Sequence, residues 1–406
     1  MLSFNNRQYQ LKNKHQMFKI QTLNKIDPNG LKIFPLGDYE IASELPNPDA
    51  IVLRSFKMHE MELPSSLKAI ARAGAGVNNI PIDKCTEEGI VVFNTPGANA
   101  NGVKELVIAG LMLSSRDILG AAVWAKSLIG KGDAVPSLIE KGKKNFAGQE
   151  VKGKTLAVIG LGAIGVLVAN AASALGMNVI GYDPYMSVKH ALKLSRNVTW
   201  VEGITPLLAQ ADYVTLNIPL TPDTKGYINR EKFKMMKDGV KILNFARGGL
   251  VDNSDLKDAV ESGKVSCYVT DFPDEDCLKM DKVISIPHLG ASTKESETNC
   301  AIMAVNQVRD YLENGNIKNS VNFPAAEMER NGGSRILIAN KNVPNMVSQI
   351  STVLAAEGLN IDNMLNKKRK DIAYNIIDVD SDQVDDTVKE KLMAIEGIFM
   401  VRTINA

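Results

Sequence analysis

The stretch "TLAVIGLGAIGVLVANAASALGMNVIGYDPY", Thr155 to Tyr185, decides how this chain is read. A short apolar run opens it. A glycine turn follows, then small and apolar residues at helical spacing, a second apolar run and an acid at Asp183. Gly160, Gly162 and Gly165 stand in G-x-G-x-x-G register. The first glycine permits the tight turn, the second lets backbone approach a pyrophosphate, and the third lets helix pack closely on strand. The helix opening at Ala163 and Ile164 leaves its first N–H groups unpaired, and with the helix dipole they suit phosphate. Asp183 is placed to accept from both ribose hydroxyls and to repel a 2′-phosphate, so the turn reads as a site for NAD rather than NADP. A glycine triplet alone would also suit a packing turn in an unrelated α/β domain. The strand before it, the small-residue helix and the acid after the second strand favour the cofactor.

Outward from this unit, short apolar runs alternate with helical patterns. The predicted strands are "TLAVIG", "NVIGYD", "YVTLNIP", "KILNFA", "CYVTDF" and "VISIPH", followed by a helix from about Lys294 to Asn314. Upstream, "AIVLRSF" and "IVVFN" read as strands and "VKELVIAGLMLSSRDI" as a helix. Such alternation is the pattern of βαβ units and a parallel sheet. "NGNIKNSVNFPAAEMERNGGS" has no apolar period and reads as a linker. Beyond it the order βαββαβ in a short span predicts a ferredoxin-like module, separate from the first sheet.

Composition narrows the function classes. A chain of 406 residues allows two to four domains of roughly 100–200 residues each. A formal net charge of +1 argues against nucleic acid as partner, and no apolar run is long enough for a membrane span. The four cysteines lack paired or metal-ligand spacing, so free thiols, a reducing cytoplasmic setting and no metal are expected. Residues 1–16 are polar and basic, which predicts a disordered extension, with an organelle-targeting peptide as the alternative.

Three segments at the ends of predicted strands carry chemistry: "NFARGGLVD", "YVTDFPDED" and "ISIPHLGAST". Together with "RAGAGVNNI", "VFNTPGAN" and the glycine turn, they resemble the D-isomer-specific 2-hydroxyacid dehydrogenases, and the C-terminal module resembles an ACT domain. The likeness covers nearly all of residues 17–406. It implies a Rossmann-type nucleotide-binding domain at 95–290, within a discontinuous, flavodoxin-like substrate domain at 17–94 and 291–330. The ferredoxin-like ACT domain would occupy 333–406.

The residues suit the roles the resemblance implies. Arg247 offers a planar fork for a carboxylate and would hold the substrate and polarise its carbonyl. His288 matches the acid/base that takes the C2 hydroxyl proton as hydride leaves, and an imidazole serves both directions near neutral pH. A glutamate holding its tautomer matches Glu275 if the loop is one residue shorter, and Asp276 at the common spacing. Asp271 would accept from the nicotinamide carboxamide. Ala246, Val103, Pro219 and Thr224 match cofactor-lining positions. Arg54 and Arg72 match phosphate-binding arginines, with Ser55 beside them. Gly76 and Val77 offer backbone N–H groups to a carboxylate, and Asn99 lines the substrate. A related pattern carries a further arginine where this chain has Phe56, with Lys57 next to it. Trp124 matches a region that enters a neighbouring subunit's site, or packs locally.

The expected substrate is therefore 3-phosphoglycerate, oxidised by NAD to 3-phosphohydroxypyruvate at the head of serine synthesis. Another D-2-hydroxyacid, such as hydroxypyruvate, glyoxylate or D-lactate, is the alternative, and a nucleotide-sensing scaffold is a rival from another class. A homodimer or homotetramer is implied. A serine site in the C-terminal module would use Asn340, Asn342 and Asn360, with Asn345 supplying the left-handed turn of a glycine. An oligomerisation module without ligand is the other reading.

Overall fold

The computed structural model describes residues 17–406, and the expectations for residues 1–16 fall outside them. The chain divides into two compact units, one running to Ala98 and resuming at Glu297, the other Asn99–Ser296.

The Asn99–Ser296 unit is built on a seven-stranded sheet. Its strands are β6 (Thr155–Ile159), β7 (Asn178–Tyr182), β8 (Val198–Trp200), β9 (Tyr213–Leu216), β10 (Val240–Asn244), β11 (Val265–Thr270) and β12 (Val283–Ser285), in the order β12-β11-β10-β9-β6-β7-β8. Every pairing is parallel. Central parallel strands are covered on both faces, which is why "YVTL" and "VKILN" are buried at every position. One apolar cluster gathers Ala157, Ile159, Val214 and Ile242, and another gathers Leu156, Val158, Tyr213 and Leu243. Successive residues of one strand thus enter cores on opposite faces. The order reverses between β6 and β9, the topological switch point where ligands of such sheets bind. Strand β8 lies outside the six predicted. It is a three-residue edge strand with two exposed positions, too short for a periodic signal.

The other unit starts from β1 (Phe18–Leu23), β2 (Tyr39–Ala42), β3 (Ala50–Leu53), β4 (Ala69–Arg72) and β5 (Val91–Phe93), all parallel in the order β2-β1-β3-β4-β5. This is the flavodoxin-like order, with its switch point between β1 and β3. The long helix Lys294–Asn314 brings Ala301, Ala304, Val305 and Val308 into the core of this sheet.

The C-terminal strands β13 (Ser334–Lys341), β14 (Ile361–Arg369), β15 (Ile372–Val379) and β16 (Ile398–Ile404) form an antiparallel sheet, β14-β15-β13-β16. Helices Met346–Ala356 and Asp386–Met393 cover one face through Ile336, Ile338, Ile350 and Leu392. The other face departs from the expected separate module. Leu337, Ala339, Tyr374 and Ile376 share one core with Phe93, Tyr311 and Phe323 of the flavodoxin-like part. Strand alternation shows that a face is apolar but not what covers it.

The predicted linker is likewise packed. Ile317 and Phe323 are fully buried, and the Asn322 carboxamide accepts from Val92 N and donates to Thr86 Oγ1 and Ile90 O. Its polar residues bond to backbone, a use that composition cannot separate from solvation. Arg335 is fully buried and forks onto Asp378 at 2.6 and 2.9 Å. It also donates to the carbonyls of Asn314, Met328 and Glu329. With Arg402 on Tyr311 O and Leu312 O, and Tyr374 Oη on Gly315 O, side chains of the C-terminal sheet satisfy the orphan carbonyls that end the long helix.

Candidate active site

Strand β6 ends at the glycine turn, and Gly160 takes φ +90°, open to glycine at little cost. A Cβ on Gly165 would stand 1.8 Å from Gly160 O, so that glycine is required by helix-on-strand packing. A Cβ on Gly162 would meet nothing within 4 Å. The helix Ala163–Ala174 starts at Gly162 with no side-chain cap, leaving its first N–H groups facing that open space. Asp183 Oδ2 accepts from Leu161 N and Oδ1 from Tyr185 N, both at 2.8 Å. The acid thereby fixes the turn, and each oxygen keeps a lone pair for a further donor.

Across the switch point, Asn217 follows β9 and its Nδ2 is buried without a partner. Asp271 directly follows β11 at 1% exposure. Its Oδ2 accepts from Gly290 N at 3.2 Å, while Oδ1 is buried and unpartnered. Burial raises the Asp271 carboxyl above the usual carboxylate value, partly offset by the Gly290 N–H and by His288. Val103 packs beside Gly290, within 3.3 Å of where a Cβ would lie. An open phosphate cradle on a helix N-terminus, an acid after the second strand and two orphaned polar atoms near the strand ends fit a bound dinucleotide. Thr224 Oγ1 donates to Pro219 O at 2.7 Å, which folds their exposed loop into a turn and shows its structural use.

Neighbouring strands β10, β11 and β12 bring Arg247, Asp271 and His288 to one end of the sheet. Buried Asn244 sets the Arg247 loop: its Nδ2 donates to Arg247 O at 2.9 Å and its Oδ1 accepts from Ala246 N. The Arg247 guanidinium is exposed and folds onto Ala246 O. The His288 ring lies against Phe272, centroids 4.3 Å apart. Glu275 is 81% exposed and paired with Lys279 at 2.8 Å. Among the described residues no hydrogen bond joins His288 to Glu275 or Asp276. The expected histidine–carboxylate contact is therefore not formed here, because Asp274 caps the short helix Glu275–Lys279 and turns its acids outward.

In the other unit, Arg54 and Ser55 follow β3 at its switch point and Arg72 ends β4. Asn24, at φ +70° after β1, accepts from Ser55 N and Phe56 N. Arg72 Nε donates to Arg54 O at 3.0 Å, so the two arginines share one anchorage. Arg54 itself pairs with Glu297 at 2.6 Å. Gly76 and Val77 follow in the partly buried loop after β4. In the Asn99–Ser296 unit, Asn99 opens the helix Ala100–Ser115. Trp124 packs on Phe146 and Gly142, a local contact.

The three asparagines expected to bind serine do not meet within one chain. Asn340 is 1% exposed, and its Oδ1 accepts from Asn375, whose Oδ1 in turn accepts from Asn366. Asn342 lies at the same end of the sheet. Asn360 lies at the other, because Ile361 and Ser334 both pair with Val379 while Lys341 pairs with Ile372. Seven residues of strand separate the two ends, about 23 Å at ~3.3 Å per residue. Asn345 does adopt φ +69°, as its place after Pro344 suggested.

Sequence reasoning passed over Asn217, Asn24, Phe272 and Glu297. Asn217 and Asn24 each stand just past an observed strand, Asn217 within the last residues of the run predicted as one. Phe272 and Glu297 carry no pattern of their own.

Comparison with known proteins agrees with this geometry. Residues 123–290 match the family model described as D-isomer specific 2-hydroxyacid dehydrogenase, NAD binding domain. The D-3-phosphoglycerate dehydrogenase of Methanocaldococcus jannaschii is 35% identical over 354 residues, 82% of this chain and 65% of that protein. The chain thus spans less than two thirds of the curated relatives it matches. An NAD-bound 3-phosphoglycerate dehydrogenase structure from Entamoeba histolytica superposes with TM-score 0.60 at 28% identity, covering 76% of this chain and 99% of that one. A glyoxylate reductase structure from Paecilomyes thermophila does so with TM-score 0.60 at 26% identity, covering 75% and 98%. Residues 123–290 thus carry the NAD-binding domain of the D-isomer-specific 2-hydroxyacid dehydrogenase family. Curated relatives from Methanocaldococcus jannaschii, Archaeoglobus fulgidus and Synechocystis carry the name D-3-phosphoglycerate dehydrogenase.

Proposed function

We propose that the chain oxidises D-3-phosphoglycerate to 3-phosphohydroxypyruvate with NAD. The observation that carries the substrate is the joint anchorage of Arg54 and Arg72 at the strand ends of the flavodoxin-like sheet. Two arginines joined at the ends of neighbouring strands suit a phosphate dianion, which D-lactate and glyoxylate lack.

NAD, when bound, accepts the hydride. The chain's own groups do the rest. The Gly162 cradle and helix N-terminus hold the pyrophosphate, Asp183 the ribose, and Asp271 Oδ1 the carboxamide N–H. Arg247 takes the carboxylate. His288 accepts the C2 hydroxyl proton as the C2–H bond breaks with its electron pair and the C2=O bond forms. Glu275 releases Lys279 and turns to His288 when substrate binds, with Asp276 as the other candidate. A homodimer or homotetramer in the cytoplasm, and L-serine as effector of the C-terminal module, complete the reading. All four cysteines are free and buried, which suits a reducing compartment.

The test follows NADH formation with 3-phosphoglycerate, D-glycerate and D-lactate side by side, with and without serine. Turnover confined to the phosphorylated acid supports the assignment. Turnover confined to the others would remove Arg54 and Arg72 from a phosphate role.

A further inference from the structure

Arg54 carries a carboxylate of the chain itself. Glu297, in the first turn of the long helix, lies 2.6 Å from Arg54 Nη1, and both side chains are part exposed, 37% and 45%. The helix turn behind it belongs to the same cluster. Cys300, three residues on and buried, feels the fields of Arg54, Arg72 and Glu297 together. Arg72 folds over Gly74, and its Nε holds Arg54 O, which keeps the Arg54 backbone in place whatever its guanidinium does.

The charge count decides what Glu297 does. Arg54 presents one positive charge, and Glu297 cancels it. A phosphate dianion reaching Arg54 must displace this carboxylate or lie beside it. An exposed pair of this kind holds with about 0–1 kcal/mol, so displacement is easy. The repulsion between Glu297 and a dianion remains, because the helix holds the carboxylate nearby.

We propose that Glu297 is an affinity-setting counter-ion: it occupies Arg54 in the free protein and weakens the grip on phosphate, in the substrate and in inorganic phosphate alike. The inference rests on the proposed phosphate role of Arg54. It goes beyond it by assigning Glu297 an effect opposite to a binding residue: its removal tightens binding.

The experiment compares the wild type with Glu297→Gln and Glu297→Asp. Two readouts are taken: KM and kcat for 3-phosphoglycerate and D-glycerate, and Kd for inorganic phosphate by calorimetry on the NAD-loaded protein. One charge about 6 Å from a dianion in a half-wet site corresponds to roughly tenfold in affinity. Glu297→Gln is therefore expected to lower KM for the phosphorylated acid and Kd for phosphate about tenfold, with KM for D-glycerate unmoved. Glu297→Asp keeps the charge and should stay near wild type. An unchanged or raised phosphate Kd in Glu297→Gln overturns the inference and leaves Glu297 as a helix-terminus acid. If the wild type turns over only unphosphorylated acids, the functional reading fails instead. The phosphate Kd then still decides whether Glu297 screens Arg54.

Discussion

Asp183 Oδ2 accepts the Leu161 N–H at 2.8 Å, tying the acid that follows β7 to the glycine turn that follows β6. One carboxylate therefore shapes the glycine loop and, in the proposed function, selects the ribose. Asp183→Asn keeps an oxygen for Leu161 N and removes the charge. The preference for NAD over NADP, read as a ratio of kcat/KM, should fall roughly ten- to hundredfold, as expected for losing a hydrogen bond to a charged group. An unaltered ratio would confine Asp183 to the loop.

Gly165 and Gly162 separate packing from cofactor binding. A methyl at Gly165 drives into Gly160 O, and Gly165→Ala should cost at least about 1–3 kcal/mol in urea unfolding. A methyl at Gly162 meets no protein atom. Gly162→Ala should hold stability within about 0.5 kcal/mol while NAD affinity, measured by calorimetry, drops. Equal losses of stability in both variants would refute the cradle.

The sequence pattern displays the glycine turn, six of the seven strands of its sheet, the long helix and the βαββαβ order, because each is a local periodicity or a turn with fixed chemistry. Arg247 stands just past a buried run and His288 just past a partly buried strand, and both are legible together with the resemblance. The Arg54–Glu297 pair joins residues 243 positions apart, and Arg335–Asp378 sits in a strand that reads as plain apolar alternation. Neither pairing leaves a local signal. The common spacing points to Asp276 and a one-residue-shorter loop to Glu275, yet the direction of either acid depends on Asp274 capping a five-residue helix, which spacing does not encode.

Asp271 gives a pH dependence with a definite sign. Its folded carboxyl titrates above the ordinary value because burial penalises the charge. Between the unfolded value near ~3.9 and the folded one, the native state holds more proton than the unfolded state, so stability falls as pH rises through that window. Asp271→Asn removes this loss. In the absence of cofactor its melting temperature should fall less than the wild type's as pH is raised from acid toward neutral. NAD should bind more weakly, because the new amide donor faces the carboxamide N–H. A pH profile identical to wild type would mean that Oδ1 is already satisfied.

His288→Asn should lower kcat by about 10²–10⁴ without unfolding the protein, the usual loss for a general acid/base. Glu275→Gln should lower it by more than about tenfold and Asp276→Asn hardly at all, if the longer stem is the one that reaches the imidazole. Lys279→Ala should leave kcat intact or raise it, because the exposed Glu275–Lys279 pair has little energy to release. Loss confined to Asp276→Asn would exchange the two acids.

Arg335 spends all five of its N–H donors on Asp378 and on three carbonyls around the end of the long helix. Both members of the pair are shielded from water, 0% and 1% exposed, so removing one leaves the other charged and dry. Arg335→Met should cost roughly 3–5 kcal/mol in denaturant unfolding, and Asp378→Leu a similar amount. The double variant should recover part of that loss, since two apolar side chains fill the space without a stranded charge. It cannot recover all of it, because the carbonyls of Asn314, Met328 and Glu329 lose their donor in every variant lacking Arg335. A double-mutant cycle that came out additive would mean the pair contributes nothing beyond packing. The C-terminal sheet would then owe its attachment to the core around Phe323 and Tyr374 alone.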